Sequence, residues 1–303
     1  MTKTIGIDVQ DFRKIRELDT FYVDKTKFIK ISTEMDDSDI SVSLQNLSYY
    51  LYKYYNKRVI ILLDEYDTPL QESYVNGFWE ELVAFSRSLF NETFKNNPYL
   101  ERALMTGITR VSKESIFSDL NNLNVVTTTS EEYCDSFGFT EEEVYEALEE
   151  YGMPEHKETV RIWYDGFTFG NRQDIYNPWS IIKFLDKKKV APYWANTSSN
   201  RLIGKLIQEG SKQIKLSFEE LLADGTIKAE IDEQIIYDQL DSTENAIWSL
   251  LLASGYLKVK TVEIRGEEYG DWIPVYELAI TNFEVRVMFR SMIKKWFAAS
   301  ATE

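Results

Sequence analysis

The run Val59-Ile60-Ile61-Leu62-Leu63 constrains this chain more than any other stretch. Five consecutive apolar residues, three of them β-branched, fit a parallel strand covered on both faces. The run stops at Asp64-Glu65, with Asp67 and Pro69 just beyond. A strand that leaves a core and at once presents carboxylates supplies groups that can hold a metal ion or polarise a water. The same pattern also describes a buried strand whose polar end simply begins a loop.

The rest of the composition narrows the chemistry. With 303 residues, 44% hydrophobic and 14% aromatic, the chain is expected to be globular. Its 50 acidic and 34 basic residues give a formal charge of −16, a field that repels phosphate backbones. Nucleic-acid binding through this chain is therefore not expected. Cys134 is the only cysteine, so no intrachain disulfide and no cysteine zinc cluster can form. His156 is the only histidine and lies in the polar stretch Pro154-Glu155-His156-Lys157, which reads as a solvated turn. Catalysis here would run on carboxylates, arginine, lysine and backbone. No 18-residue apolar run exists, and Met1-Thr2-Lys3-Thr4 lacks the apolar core of a signal peptide, so a cytoplasmic protein with no membrane partner is expected.

Periodicity supplies the remaining elements. Residues 4–9 and 21–23 read as short strands, and 11–17 as a polar helical turn. Ile40, Leu44, Leu47, Leu51 and Tyr54 form a helical stripe expected to face the core. A broad-faced helix is expected over 78–94, a second buried strand over 103–110 and a third over 124–129. Thr140-Glu141-Glu142-Glu143 is a capping box, with Phe139 and Val144 placed as its hydrophobic staple. Asn177-Pro178 begins another helix, and 139–230 reads as mainly helical. The last block differs, with an apolar helix over 247–253 closed by Gly255, a hairpin over 256–280 and a final helix capped by Asn282. Helix, hairpin and helix suit a winged-helix module. Residues 241–297 carry eight acids and seven bases, so that module lacks the basic face of a DNA reader and is taken as a packing element.

Several stretches together resemble the AAA-ATPase-like family of bacteria, distant relatives of the signal-transducing STAND nucleotidases. They are Asp11-Phe12-Arg13-Lys14 with Tyr22-Val23-Asp24-Lys25-Thr26, the strand at 59–67, and Thr106-Gly107-Ile108-Thr109-Arg110. Phe137-Gly138-Phe139-Thr140, Trp163-Tyr164-Asp165-Gly166-Phe167, Tyr176-Asn177-Pro178-Trp179 and Asn196-Thr197-Ser198-Ser199-Asn200 follow in order. The resemblance implies an α/β fold: a partial P-loop NTPase-type parallel sheet over 1–136, a helical lid over 137–238 and a winged-helix-like module over 239–303. It implies Mg²⁺ and ATP as cofactors, with Asp64 as metal ligand and Glu65 as catalytic base. Thr106 and Arg110 would sit where a sensor of the γ-phosphate belongs.

One departure is decisive. Phosphate binding needs a glycine-rich loop whose backbone N–H groups point at the phosphates from a helix N-terminus. Here Lys30 runs directly into Ile31-Ser32-Thr33-Glu34, and no G-x-x-x-x-G-K-[ST] occurs in the sequence. The family's frequent C-terminal PD-(D/E)xK nuclease domain is not expected either. The chain thus reads as an ATPase-like protein with an acidic half-site and impaired nucleotide binding. The alternative is a non-catalytic interaction module that keeps the lid and the terminal module. A metal-dependent hydrolase built on Asp64, Glu65 and Asp67 alone is the third reading, short of converging ligands. Without the loop-bearing strand the sheet is expected to have an open edge, which invites self-association or a protein partner.

Overall fold

A computed structural model of the protein describes residues 37–95, 97–108, 116–117, 120, 123–195, 201–232, 244–266 and 272–300. The expected strands at 4–9 and 21–23, Arg110 and the 196–200 motif lie outside the described residues. The chain divides into two units. One comprises 1–60 with 85–102, the other 61–84 with 103–303.

Two strands, β1 (Val59–Leu63) and β2 (Leu100–Met105), form a two-stranded sheet. The pairing is parallel, because Val59 N–H donates to Tyr99 C=O at one end and Thr106 N–H to Leu63 C=O at the other, 2.8 and 2.9 Å. The expectation of a strand covered on both faces is corrected. Val59, Ile61 and Leu63 are half-buried, whereas Ile60 and Leu62 are 61% and 72% exposed. A five-residue apolar run cannot by itself report whether its second face is covered.

Before β1 come a short helix α1 (Asp37–Ser41) and α2 (Ser43–Tyr55). The stripe expected to face inward is turned outward, with Leu47, Leu51 and Tyr54 exposed. Tyrosine packing sets the rotation instead. Tyr49 and Tyr52 lie on Tyr99 with ring centroids 5.1 and 5.4 Å apart, and Ser48 is the buried residue of the helix. After β1, α3 (Thr68–Asn76) carries Pro69 in its first turn and ends at Gly77, whose φ of 81° is the left-handed cap. Next come α4 (Trp79–Phe90) and one π turn, Asn91–Lys95, close to the 78–94 expected. Residues 123–127 carry no strand, so the third expected strand is corrected as well.

The region from 139 onward holds more sheet than its sequence announces. A three-stranded antiparallel sheet has the order β3 (Phe139–Thr140), β5 (Arg172–Tyr176), β4 (Asp165–Phe169). Around it stand α5 (Glu141–Glu150), α6 (Lys157–Tyr164) and α7 (Pro178–Lys187). Val144, Leu148, Val160, Tyr164, Tyr176 and Phe184 make one core at 1% exposure or less. The capping box is present, since Glu143 N–H donates to Thr140 Oγ1 while the Glu143 carboxylate accepts from Thr140 N–H. Phe139 packs on the cluster that contains Val144, as a staple requires. Asn177 caps α7 by accepting from the N–H groups of Trp179 and Ser180.

Beyond α8 (Arg201–Glu209) and α9 (Lys212–Leu222), β6 (Ile227–Glu230) leads to α10 (Glu244–Ala253). The hairpin β7 (Leu257–Arg265) and β8 (Ile273–Ile280) follows, then α11 (Phe283–Ser300). Their sheet has the order β6-β8-β7, all antiparallel. Gly255 closes α10 at a φ of 75°, as its position predicted. Asn282 caps α11 by accepting from Val285 N–H at 3.1 Å. Phe218 of α9 meets Phe289 of α11 edge-on, centroids 4.7 Å apart, at the centre of this module.

One buried carboxylate ties the two groups of elements together. Glu284, in the first turn of α11, is fully buried and accepts from Ser180 Oγ at 2.8 Å, Trp194 N–H at 2.6 Å and Ala195 N–H at 3.2 Å. Next to it, Asn282 donates to the C=O of Tyr164, the last residue of α6, at 3.3 Å.

Replacing Thr140 by Ala should cost about 1 kcal/mol through loss of the cap on α5. Urea unfolding of Thr140→Ala checks this, and an unchanged midpoint would show that the cap adds nothing.

Candidate functional site

The strand-end acids are arranged by a tight corner. After β1 the backbone of Glu65 enters the left-handed region at a φ of 50°, uncommon for a residue with a side chain. That turn lets Glu65 C=O accept from Thr68 N–H at 3.1 Å and starts α3. Thr106, one residue beyond β2, splints the corner. Its N–H donates to Leu63 C=O and its C=O accepts from Tyr66 N–H at 3.0 Å, so the parallel ladder continues past both strand ends. Its hydroxyl donates to Asp64 Oδ1 and accepts from Glu65 N–H at 3.3 Å.

Sequence positions 64 and 106 therefore meet, and one threonine hydroxyl organises both acidic residues. The carboxylates of Asp64 and Glu65 are solvent-exposed. Asp67 is different, with only 3% exposure. A Cβ on Gly107 would sit 2.6 Å from Asp67 Oδ1 and 2.8 Å from the Tyr66 ring, so these two side chains occupy the space that a larger residue at 107 would take. Tyr66 rests edge-on against Phe117 at 5.4 Å, anchoring the loop on an apolar base. Arg110 lies outside the described residues.

A magnesium site needs several oxygen donors converging on one point. Among the described residues no group of three or more His, Cys, Asp or Glu side chains is placed to hold a metal. Asp64, with one oxygen already engaged by Thr106, does not make such a site by itself, and no hydrolytic step is derived through it. His156 stands at the end of a single 3₁₀ turn, edge-on to Phe184 at 5.6 Å and next to Glu155.

A second ionisable group of residues escaped the sequence reading. Asp165 of β4, Asp174 of β5 and Lys258 of β7 interact electrostatically across two sheets. Asp165 was visible only as part of a motif. Lys258 and the buried Glu284 had no local signal, because their partners lie about a hundred positions away.

The stretch that carries the paired strands, Asp64-Glu65 and Thr106 is similar to a family of ATPases. The family model described as "AAA-ATPase_like: Predicted AAA-ATPase" matches residues 30–117. Among curated proteins, an "Uncharacterized protein in vnfD 5'region" of Azotobacter chroococcum mcd 1 is 27% identical over 232 residues. The match covers 76% of this chain and 42% of that relative's length, so the chain spans less than half of it. No solved structure matches. No helix among the described residues is long and apolar enough to cross a membrane.

If the hydroxyl organises the corner, Thr106→Val should cost about 1 kcal/mol, within the range of a single net hydrogen bond, and Thr106→Ser should recover most of it. Urea midpoints of the two variants decide the matter. Equal losses in both would show that the threonine methyl, not the hydroxyl, carries the effect.

Proposed function

We propose that this chain is an AAA-ATPase-like protein that keeps a Walker-B-type acidic half-site but no longer binds nucleotide tightly. The observation that carries this reading is the Thr106 hydroxyl bridging Asp64 and the Glu65 backbone at the ends of two parallel strands. Ligands of open α/β sheets bind at such carboxyl ends. In this reading Asp64 stands at the Mg²⁺ position, Glu65 at the base position, and Thr106 with Arg110 at the γ-phosphate sensor. The family match over 30–117 supports it. The sequence holds no G-x-x-x-x-G-K-[ST] to cradle the phosphates, which is why tight binding is not expected. The sheet order β6-β8-β7 flanked in sequence by helices supports reading the terminal elements as a winged helix, and in the same reading the elements after Phe139 are the lid.

A second reading is favoured by a separate observation. Leu62 and Leu104 are 72% and 55% exposed on a sheet of only two described strands. Two-stranded sheets are marginal alone, and such a face suits a second copy of this chain in a non-catalytic assembly.

Titration calorimetry with Mg-ATP should show no micromolar binding, and no turnover should accompany it. A micromolar affinity, equivalent to about 8 kcal/mol of binding, would overturn the reading. So would turnover abolished by Glu65→Gln.

A further inference from the structure

The segment Trp163-Tyr164-Asp165-Gly166-Phe167 plays no part in the acidic half-site, yet each of its residues meets the terminal module or the loop packed on it. Trp163 stacks edge-on against Phe283 of α11 at 4.9 Å. Tyr164 C=O accepts from Asn282. Gly166, at a φ of 129°, lies so close to the Thr281 carbonyl that no side chain fits, and a Cβ there would be 2.7 Å from Lys258 Nζ. Phe167 packs edge-on against Trp194 at 5.5 Å and would clash with any Cβ on Gly255. The segment is the seam along which β4 is pressed onto β7 and the start of α11.

Asp165 sits at the centre of this seam. Its Oδ1 is buried without a hydrogen-bond partner, and the like charge of Asp174 on β5 acts on its carboxyl. A carboxyl oxygen buried without a partner beside a second acid favours the protonated form. Asp174 is solvent-exposed and held at a φ of 59° on a strand whose pairing with β4 is irregular. The other charged and titratable groups facing Asp165 are Tyr176 of β5, Arg161 of α6 and Lys258 of β7. Lys260 of β7 and Arg286 of α11 act on Lys258 in turn.

We propose that this seam is a proton-responsive joint, in which loss of the proton on Asp165 loosens β4 from the terminal module. Ionised, Asp165 is a half-buried charge with its buried Oδ1 unpaired and the second carboxylate of Asp174 acting on it. Lys258 lies within its field, but no ion pair between them offsets the loss. Burial first, and Asp174 second, push the Asp165 carboxyl from 3.8 up to about 6, against the pull of Lys258 and Arg161. The closed joint thus binds the proton more tightly than the unfolded chain does. Its stabilising share is complete at pH below the ordinary carboxyl value and is lost as pH rises through about 6. Burial pushes Lys258 down, so a joint governed by the lysine would respond with the opposite sign and tighten as pH rises.

Hydrogen exchange of a peptide covering 163–169, corrected for the intrinsic pH dependence of exchange, reads the joint directly. Between pH 5 and pH 8 its protection should fall about tenfold, less than the full shift implies because the half-open site is screened by solvent. Protection of β8 should stay unchanged over the same range. Asp165→Asn should be flat with pH and as protected as the wild type at pH 5. Asp174→Asn removes the like charge and should move the midpoint to lower pH. The proposal is overturned by protection that rises with pH, by an Asp165→Asn variant that keeps the wild-type profile, or by an Asp174→Asn midpoint that does not move. Should Asp165→Asn fail to fold, the Asp174→Asn midpoint decides alone.

Discussion

The buried carboxylate of Glu284 is the constraint on which the C-terminal half of this protein depends. Removing an acid from water is costly unless hydrogen bonds replace its hydration. Here three donors do so, one from α7 and two from the loop at Trp194-Ala195. Burial pushes the Glu284 carboxyl up, and those hydrogen bonds pull it back down. Each of those donors is satisfied only when α11 is docked. The cap of α11, the end of α6, the cap region of α7 and the 194–195 loop are therefore fixed by one side chain and its neighbour Asn282. The aromatic ladder Phe167, Trp194, Tyr256 and Phe289 then fills the space beside this polar knot. Polar geometry sets the docking, and apolar burial adds the bulk of the free energy.

Local chemistry was the part of the fold most legible in the sequence. Thr140 with Glu143, Asn177 with Pro178, Gly255 and Asn282 all do what their positions announce, because a cap is decided by residues a few places apart. What failed was anything decided by distant partners. The stripe Leu47, Leu51 and Tyr54 had the right period, but Tyr99, some fifty positions on, set the rotation of α2. Likewise Asp165-Gly166-Phe167 falls in a region that reads as mainly helical, yet it pairs with β5 as a bulged strand. Ile60 and Leu62 are as apolar as a doubly covered strand demands, and no local signal distinguishes a covered face from an open one.

The candidate site was legible in its acids and not in its organiser. Asp64 and Glu65 stand at a strand end because the apolar run before them is a strand. That the Thr106 hydroxyl reaches both residues follows only from parallel pairing of β1 with β2. Gly107 gives a similar lesson. In sequence it is one glycine after a strand; in the fold it is the space into which the buried Asp67 carboxyl fits. The charge cluster at Asp165, Asp174 and Lys258 lay further out of reach, since its members come from three strands in two sheets.

Calorimetric unfolding of Glu284→Leu tests the dependence on that carboxylate most directly. Leucine keeps the apolar bulk but leaves the Trp194 and Ala195 N–H groups without their acceptor. If Glu284 holds the helical and terminal elements together, the substitution costs about 3 kcal/mol, a midpoint lower by roughly 6 °C or more. An unchanged or higher midpoint would show that apolar packing alone fixes the docking and that the buried acid is incidental to it.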